Sequence, residues 1–187
     1  MRVLFDMETG DPDDLITLLM LLLNPKVDLV GVTCYEGSPI QIGLIEHVLA
    51  LANRKIPVGG WNAKEPSALN AFYSSVVGFW TPAQASLTPV DVFADVCTPE
   101  TTVLTGAPLT NVAFALERLS KLHITNMVTQ GGFLGHLTRD PLPKFVGKSQ
   151  IRTYNLSSDP LAFDVVNHSE RTSKMTYVTK DVCHGFV

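Results

Sequence analysis

Five carboxylates fall within nine residues in Asp6-Met7-Glu8-Thr9-Gly10-Asp11-Pro12-Asp13-Asp14. Acids gathered at one point can hold a hard cation, take a proton from water, or cap a helix. Crowded carboxylates repel one another, so their convergence is costly unless a cation sits among them. Oxygen donors without His or Cys select Ca²⁺ or Mg²⁺ over zinc. The competing account is local. Asp11 as N-cap, Pro12 at the first helical position and Asp14 in the first turn make a capping-box-like helix start. Capping accounts for Asp11, Asp13 and Asp14, but not for Asp6 and Glu8, which stand where a buried strand ends.

The elements that must position this cluster read as an alternation. Residues 3–5 make a short apolar strand, and 11–23 a helix that stops at Asn24-Pro25. Strands follow at 27–34, 56–58, 102–105, 124–130 and 175–179. Helices are expected at 40–52, 90–97, 109–122 and 159–167, from apolar residues at helical spacing. Two excursions, 61–88 and 131–154, interrupt the order, and the first carries Trp61, Phe72, Tyr73, Phe79 and Trp80. Alternating strands and helices predict an α/β fold: a mostly parallel, Rossmann-like open sheet with helices on both faces. Ligands in such sheets bind beyond the carboxyl ends of the strands, which points to the segments after Asp6, Cys34 and Thr129.

Composition narrows the function classes. The chain has 187 residues, with 14 Lys+Arg against 18 Asp+Glu and a net charge of −4. That balance argues against nucleic-acid binding driven by an overall basic field. The most apolar run, residues 15–23, falls far short of the roughly 20 residues that span a bilayer, so no membrane partner is expected. No signal-peptide core fits the first residues, and the expected location is the cytoplasm. Cys34, Cys97 and Cys183 are widely spaced and suggest neither a disulfide framework nor a zinc site.

Three families place an acidic motif after a first strand. Asp6-Met7-Glu8-Thr9-Gly10 resembles the first motif of DEDD exonucleases, although a helix rather than an antiparallel strand follows. The same residues resemble haloacid dehalogenase-type phosphatases, with Asp6 as nucleophile and Thr105 in their second motif. The third resemblance covers nearly the whole chain. Asp6-x-Glu8-x-Gly10 followed by Asp13-Asp14 resembles the DxDxGxDD start of inosine-uridine type nucleoside hydrolases, with one extra residue and Glu for the second Asp. Val30-Gly31-Val32-Thr33 is similar to their second strand, and Glu36-Gly37-Ser38 stands where they have Gly-Asn. Gly106-Ala107-Pro108-Leu109-Thr110-Asn111 resembles "GPLTN", Gln130-Gly131-Gly132 resembles "MGG", Thr153-Tyr154-Asn155 with Asp159-Pro160 resembles "EFN…DP", and Asp181-Val182-Cys183-His184 resembles "DVTH".

This resemblance implies hydrolysis of the N-glycosidic bond of ribonucleosides by a Ca²⁺-activated water, with Mg²⁺ as the alternative ion. Carried over, Glu8 takes the position of the catalytic base and metal ligand. Asp6, Asp14 and the Thr129 carbonyl join it as metal-site residues. Asp13, Ser38 and Asn155 face the ribose. Glu8 is one methylene longer than Asp and the inserted residue shifts its register, which leaves Asp11 as the alternative in its role. Ser38 stands for an Asn and Thr153 for a Glu. Family members continue through a C-terminal region supplying another metal-binding Asp beside a His, so residues 1–187 read as a single nucleoside hydrolase-like domain that is C-terminally incomplete. A non-catalytic nucleoside- or ribose-binding member of the same fold is the alternative. The expected partner is a small-molecule nucleoside, and the resemblance allows a homo-oligomer.

The remaining residues read more plainly. His47 and His123 are expected as satisfied helix-side histidines, and His136 as a solvated loop residue near the cleft mouth. The aromatic residues of the first excursion are expected to pack it, and Cys34 to act as a small buried hydrophobe.

Overall fold

The computed structural model describes residues 1–64 and 72–183, the side chain of His136 excepted. His184, part of the last motif, lies outside the described residues. Six strands form one parallel sheet: β1 (Arg2–Met7), β2 (Asp28–Cys34), β3 (Val58–Gly59), β4 (Thr101–Thr105), β5 (Ile124–Gln130) and β6 (Thr172–Val178). Their spatial order is β3-β2-β1-β4-β5-β6. The chain therefore winds outward in one direction from β1 and then in the other, and the order reverses between β1 and β4.

Helices cover the sheet in two groups. α1 (Asp13–Leu23) and α2 (Pro39–Leu51) close one face over Val3, Phe5, Leu29 and Val32. α4 (Pro89–Val96), α5 (Thr110–Arg118) and α7 (Pro160–Asn167) close the other over Leu4, Val103, Ile124 and Met127. Short helices fill the excursions: α3 (Phe72–Val77) in the first, and α6 (Tyr154–Ser157) after the second. α8 (Lys180–Cys183) follows β6. Among the described residues no helix is long and apolar enough to cross a membrane.

Several boundaries differ from expectation, each for a local reason. β6 begins at Thr172 rather than 175, because its first residues are polar and partly exposed at the sheet edge. The expected helix 109–122 ends at Arg118, and Leu122 turns back to bury in the core. β3 starts one peptide after Pro57, whose carbonyl accepts from Val32 N. α1 has Pro12, not Asp11, as its capping residue, and no side chain caps it. The capping-box reading of Asp11 and Asp14 is therefore corrected. Asp14 instead accepts the Glu8 N–H at 2.8 Å, and Tyr73 anchors the Asp11 carbonyl.

Where β2 ends, Glu36 and Gly37 adopt φ of 61° and 55°. A Cβ on Gly37 would lie 2.4 Å from Gly60 Cα, so only glycine lets the loops after β2 and β3 close on each other.

Candidate functional site

Asp6, one residue before the end of β1, and Thr105, the last residue of β4, stand on either side of the reversal point, where open α/β sheets open a crevice for ligands. Asp6 faces Thr33 on β2 and Thr105 on β4 in register. Its carboxylate is fully buried and accepts from Thr33 Oγ1 at 2.6 Å, Asn111 Nδ2 at 2.8 Å and Thr105 Oγ1 at 3.4 Å. Asn111 sits in the first turn of α5, and its own oxygen accepts from Trp61 Nε1 at 2.7 Å. Each atom of that amide is thus assigned by its partner. Burial pushes the Asp6 carboxyl up to about 6, against the lowering effect of these three donors. A carboxylate so enclosed faces no substrate, which removes the basis for reading Asp6 as a phosphatase nucleophile.

Glu8 and Asp14 lie one step further out. The Glu8 carboxylate accepts from the backbone N–H groups of Gly10 and Asp11, so it curls over its own loop. Burial raises its pKa first, with the Asp13 and Asp11 charges adding to the effect. Asp14 is 5% exposed and lies against Gly106, where a Cβ would approach its Oδ1 to 1.9 Å. Burial holds Asp14 well above the usual carboxylate range, and the charges of Asp13, Glu8 and Asp6 push the same way.

The loop carrying Glu8 is held from elsewhere in the chain. The Tyr73 hydroxyl from α3 donates to the carbonyls of Thr9 at 2.8 Å and Asp11 at 2.6 Å. Gln41 Nε2 donates to Thr9 Oγ1 at 2.9 Å, and Gln41 Oε1 accepts both the N–H and the hydroxyl of Ser38.

A cleft of about 470 Å³ opens above this cluster, lined on one side by Glu8, Asp11, Asp13 and Gly106 and on the other by Gln130, Thr153, Tyr154, Asn155, Lys180 and Cys183. The structure thus brings Glu8, Asp13 and Asn155 to one cavity. Asp14 stands behind them on the Glu8 N–H. Ser38 is 1% exposed at the start of α2 with its hydroxyl on Gln41, and it does not line the cleft. Thr129 is buried in β5 beside Thr105 and also lies outside the lining, its Oγ1 without a hydrogen-bond partner.

A divalent cation is the group that the resemblance implies here. The donor chemistry fits: three buried carboxylates with raised pKa values, none ion-paired to Lys or Arg among the described residues. Among the described residues no three His, Cys, Asp or Glu side chains stand close enough together to hold a metal by themselves.

The other residues singled out in the sequence have structural partners. His47 pairs with the Val77 carbonyl and His123 with the Ser173 hydroxyl. Trp80 donates to the Ile40 carbonyl, and Trp61 packs edge-on against Phe114. Cys34 is buried, and burial pushes its thiol well up. Sequence reasoning assigned no role to Asn111, Gly106, Gln41 or the Gln130 side chain, and it expected Tyr73 only to pack the first excursion, where the structure buries it and also sets its hydroxyl on the acidic loop. Asn111 and Gly106 lay inside a quoted motif, but nothing local marks a glycine as the seat of a carboxylate 92 positions away.

Comparison with known proteins places these observations in a lineage. The family described as inosine-uridine preferring nucleoside hydrolase matches residues 3–187. The pyrimidine-specific ribonucleoside hydrolase RihA of Citrobacter koseri is 29% identical over 188 residues, covering 89% of this chain and 56% of that protein. The RihA of Salmonella newport is 30% identical over 186 residues, covering 89% and 57%. Among solved structures, the inosine-uridine preferring nucleoside hydrolase of Bacillus anthracis superposes with a TM-score of 0.67 at 19% identity, over 95% of this chain and 65% of that one. A plant nucleoside hydrolase, PpNRh1, gives 0.70 at 18% identity, over 98% and 61%. These two show a shared fold. The chain spans a little over half the length of the curated relatives it matches.

Proposed function

Because the chain belongs to the inosine-uridine preferring nucleoside hydrolase family, we propose that its cleft binds a ribonucleoside and hydrolyses the N-glycosidic bond. The observation that carries this reading is the meeting of Glu8, Asp13 and Asn155 around one cavity at the reversal point of the sheet. Asp13 and Asn155 bind ribose hydroxyls from opposite walls, and Ser38 supports the loop beneath them through Gln41 and Thr9. Glu8 takes the proton of the attacking water on a carboxylate oxygen, and its raised pKa makes it a better base than an ordinary glutamate. Glu8, Asp14 and the Thr129 carbonyl would hold Ca²⁺, or Mg²⁺ in its place, and Asp6 behind them would orient the cluster. When bound, the ion supplies an oriented water acidified toward neutral pH.

The test is ribose release from inosine and from uridine by the purified 187-residue chain, with and without millimolar Ca²⁺. Release is expected, with a fall of about 10²–10⁴-fold in Glu8→Ala. Calorimetry should register Ca²⁺ binding, and binding that survives combined Glu8→Ala and Asp14→Ala would overturn the site. One observation favours a second reading, nucleoside binding without hydrolysis: the Glu8 carboxylate, at the cleft wall, is already engaged by the N–H groups of Gly10 and Asp11. Nucleoside binding with no ribose release would select it.

A further inference from the structure

The wall opposite the carboxylates contains an amide whose orientation decides what that wall can recognise. Asn155 is 6% exposed and lines the cleft. Its Nδ2 donates to the Gln130 backbone carbonyl at 3.2 Å and to Gln130 Oε1 at 2.7 Å. An amide nitrogen carries two protons, so both are engaged by one residue. Turning the amide over would set Oδ1 against two acceptors, one of them a backbone carbonyl that cannot rotate away. Gln130 is itself oriented, since its Nε2 donates to Cys183 Sγ at 3.6 Å. Asn155 Oδ1 has no hydrogen bond among the described residues, and it is not among the buried orphaned atoms. It is the atom left for a ligand.

We infer that Gln130 is a positioning residue: it holds Asn155 with the amide nitrogen inward and the oxygen toward the cleft. This rests on the nucleoside reading above and sharpens it. With Asn155 presenting an acceptor and Glu8, Asp11 and Asp13 facing it as carboxylates, the two walls ask for a ligand edge that donates, as a vicinal diol does. The similar family motif has methionine at this position, and a thioether offers the Asn155 amide only a weak acceptor. The Gln130 side chain thus adds a strong acceptor to a backbone carbonyl that any residue at this position would offer.

Gln130→Met keeps the side chain's length and removes its strong acceptor. In the ligand-free protein, the side-chain amide protons of Asn155 should exchange with solvent about tenfold faster in Gln130→Met than in wild type by NMR. With inosine as probe, KM should rise about three- to tenfold with kcat changed less than about twofold, the size expected for one neutral hydrogen bond. In an Asn155→Ala background the same substitution should change neither. Equal losses in both backgrounds, or unaltered amide exchange, would overturn the proposal. Should wild type neither bind nor cleave inosine, the nucleoside reading falls, while amide exchange still decides whether Gln130 holds Asn155.

Discussion

The two walls of the cleft are built differently. On the β1 side, residues 6–14 are tied down by buried bonds from distant segments: Thr33, Thr105 and Asn111 to Asp6, Tyr73 to two carbonyls, and Gln41 to Thr9. On the far side, the Asn155 amide rests on Gln130 among the described residues, and the loop before it is held by Asp181, which accepts from Leu134 N at 2.8 Å and Thr138 Oγ1 at 3.2 Å. Leu134 and Leu137 in that loop stay 47% and 73% exposed. Like-charged groups gathered in a low dielectric need a rigid frame, because any slack would let them separate or protonate. A wall that only offers hydrogen bonds to a ligand can remain half-solvated.

The contrast can be broken most directly at Gly106. A Cβ there would lie 1.9 Å from Asp14 Oδ1 and 2.6 Å from its Cγ, and Asp14 is too enclosed to swing away. Gly106→Ala should abolish Ca²⁺ binding by calorimetry and destabilise the fold by about 1–3 kcal/mol in urea denaturation.

Titration should report on the same rigid wall. The folded-state pKa of Asp6 is raised to about 6 from 3.8, so between these values the folded state holds a proton that the unfolded chain has released. Stability should therefore be highest near pH 4 and fall as pH rises toward 6, by up to about 3 kcal/mol, then level off. Glu8 and Asp14 are raised as well and push in the same direction. Melting curves in chelator across this range check the sign; stability that rises from pH 4 to 6 would show the cluster to be solvated. Asp6→Asn should make the fall shallower, leaving the part that Glu8 and Asp14 contribute.

A paired substitution compares the walls at smaller scale. Tyr73→Phe removes one hydroxyl that serves two carbonyls in the buried wall, and should destabilise by about 1–3 kcal/mol. Asp181→Ala also removes two hydrogen bonds, but at the solvated wall, where water replaces them, and should shift stability by less than about 1 kcal/mol. Equal losses would erase the distinction between the two sides.

What the sequence determined by itself is the order and type of the main elements and the acidic cluster. Apolar runs such as Leu29 to Val32 and the periodic residues of α2 bury wherever the chain leads them, so their signal is local. The polar start of β6, the four-residue helices α6 and α8, and the uncapped entry to α1 escaped that reading, because sheet pairing and distant anchors outweigh local preference there. Only the tertiary structure decided the site. The reversal of strand order sets Thr33 and Thr105 on either side of Asp6, brings Gly106 under Asp14, and lets Asn111 reach across 105 positions to a buried carboxylate. Those partners are chosen by how strands wind around β1. Winding is fixed by the packing of two helical layers on one twisted sheet, a property of the assembled chain and of no single segment.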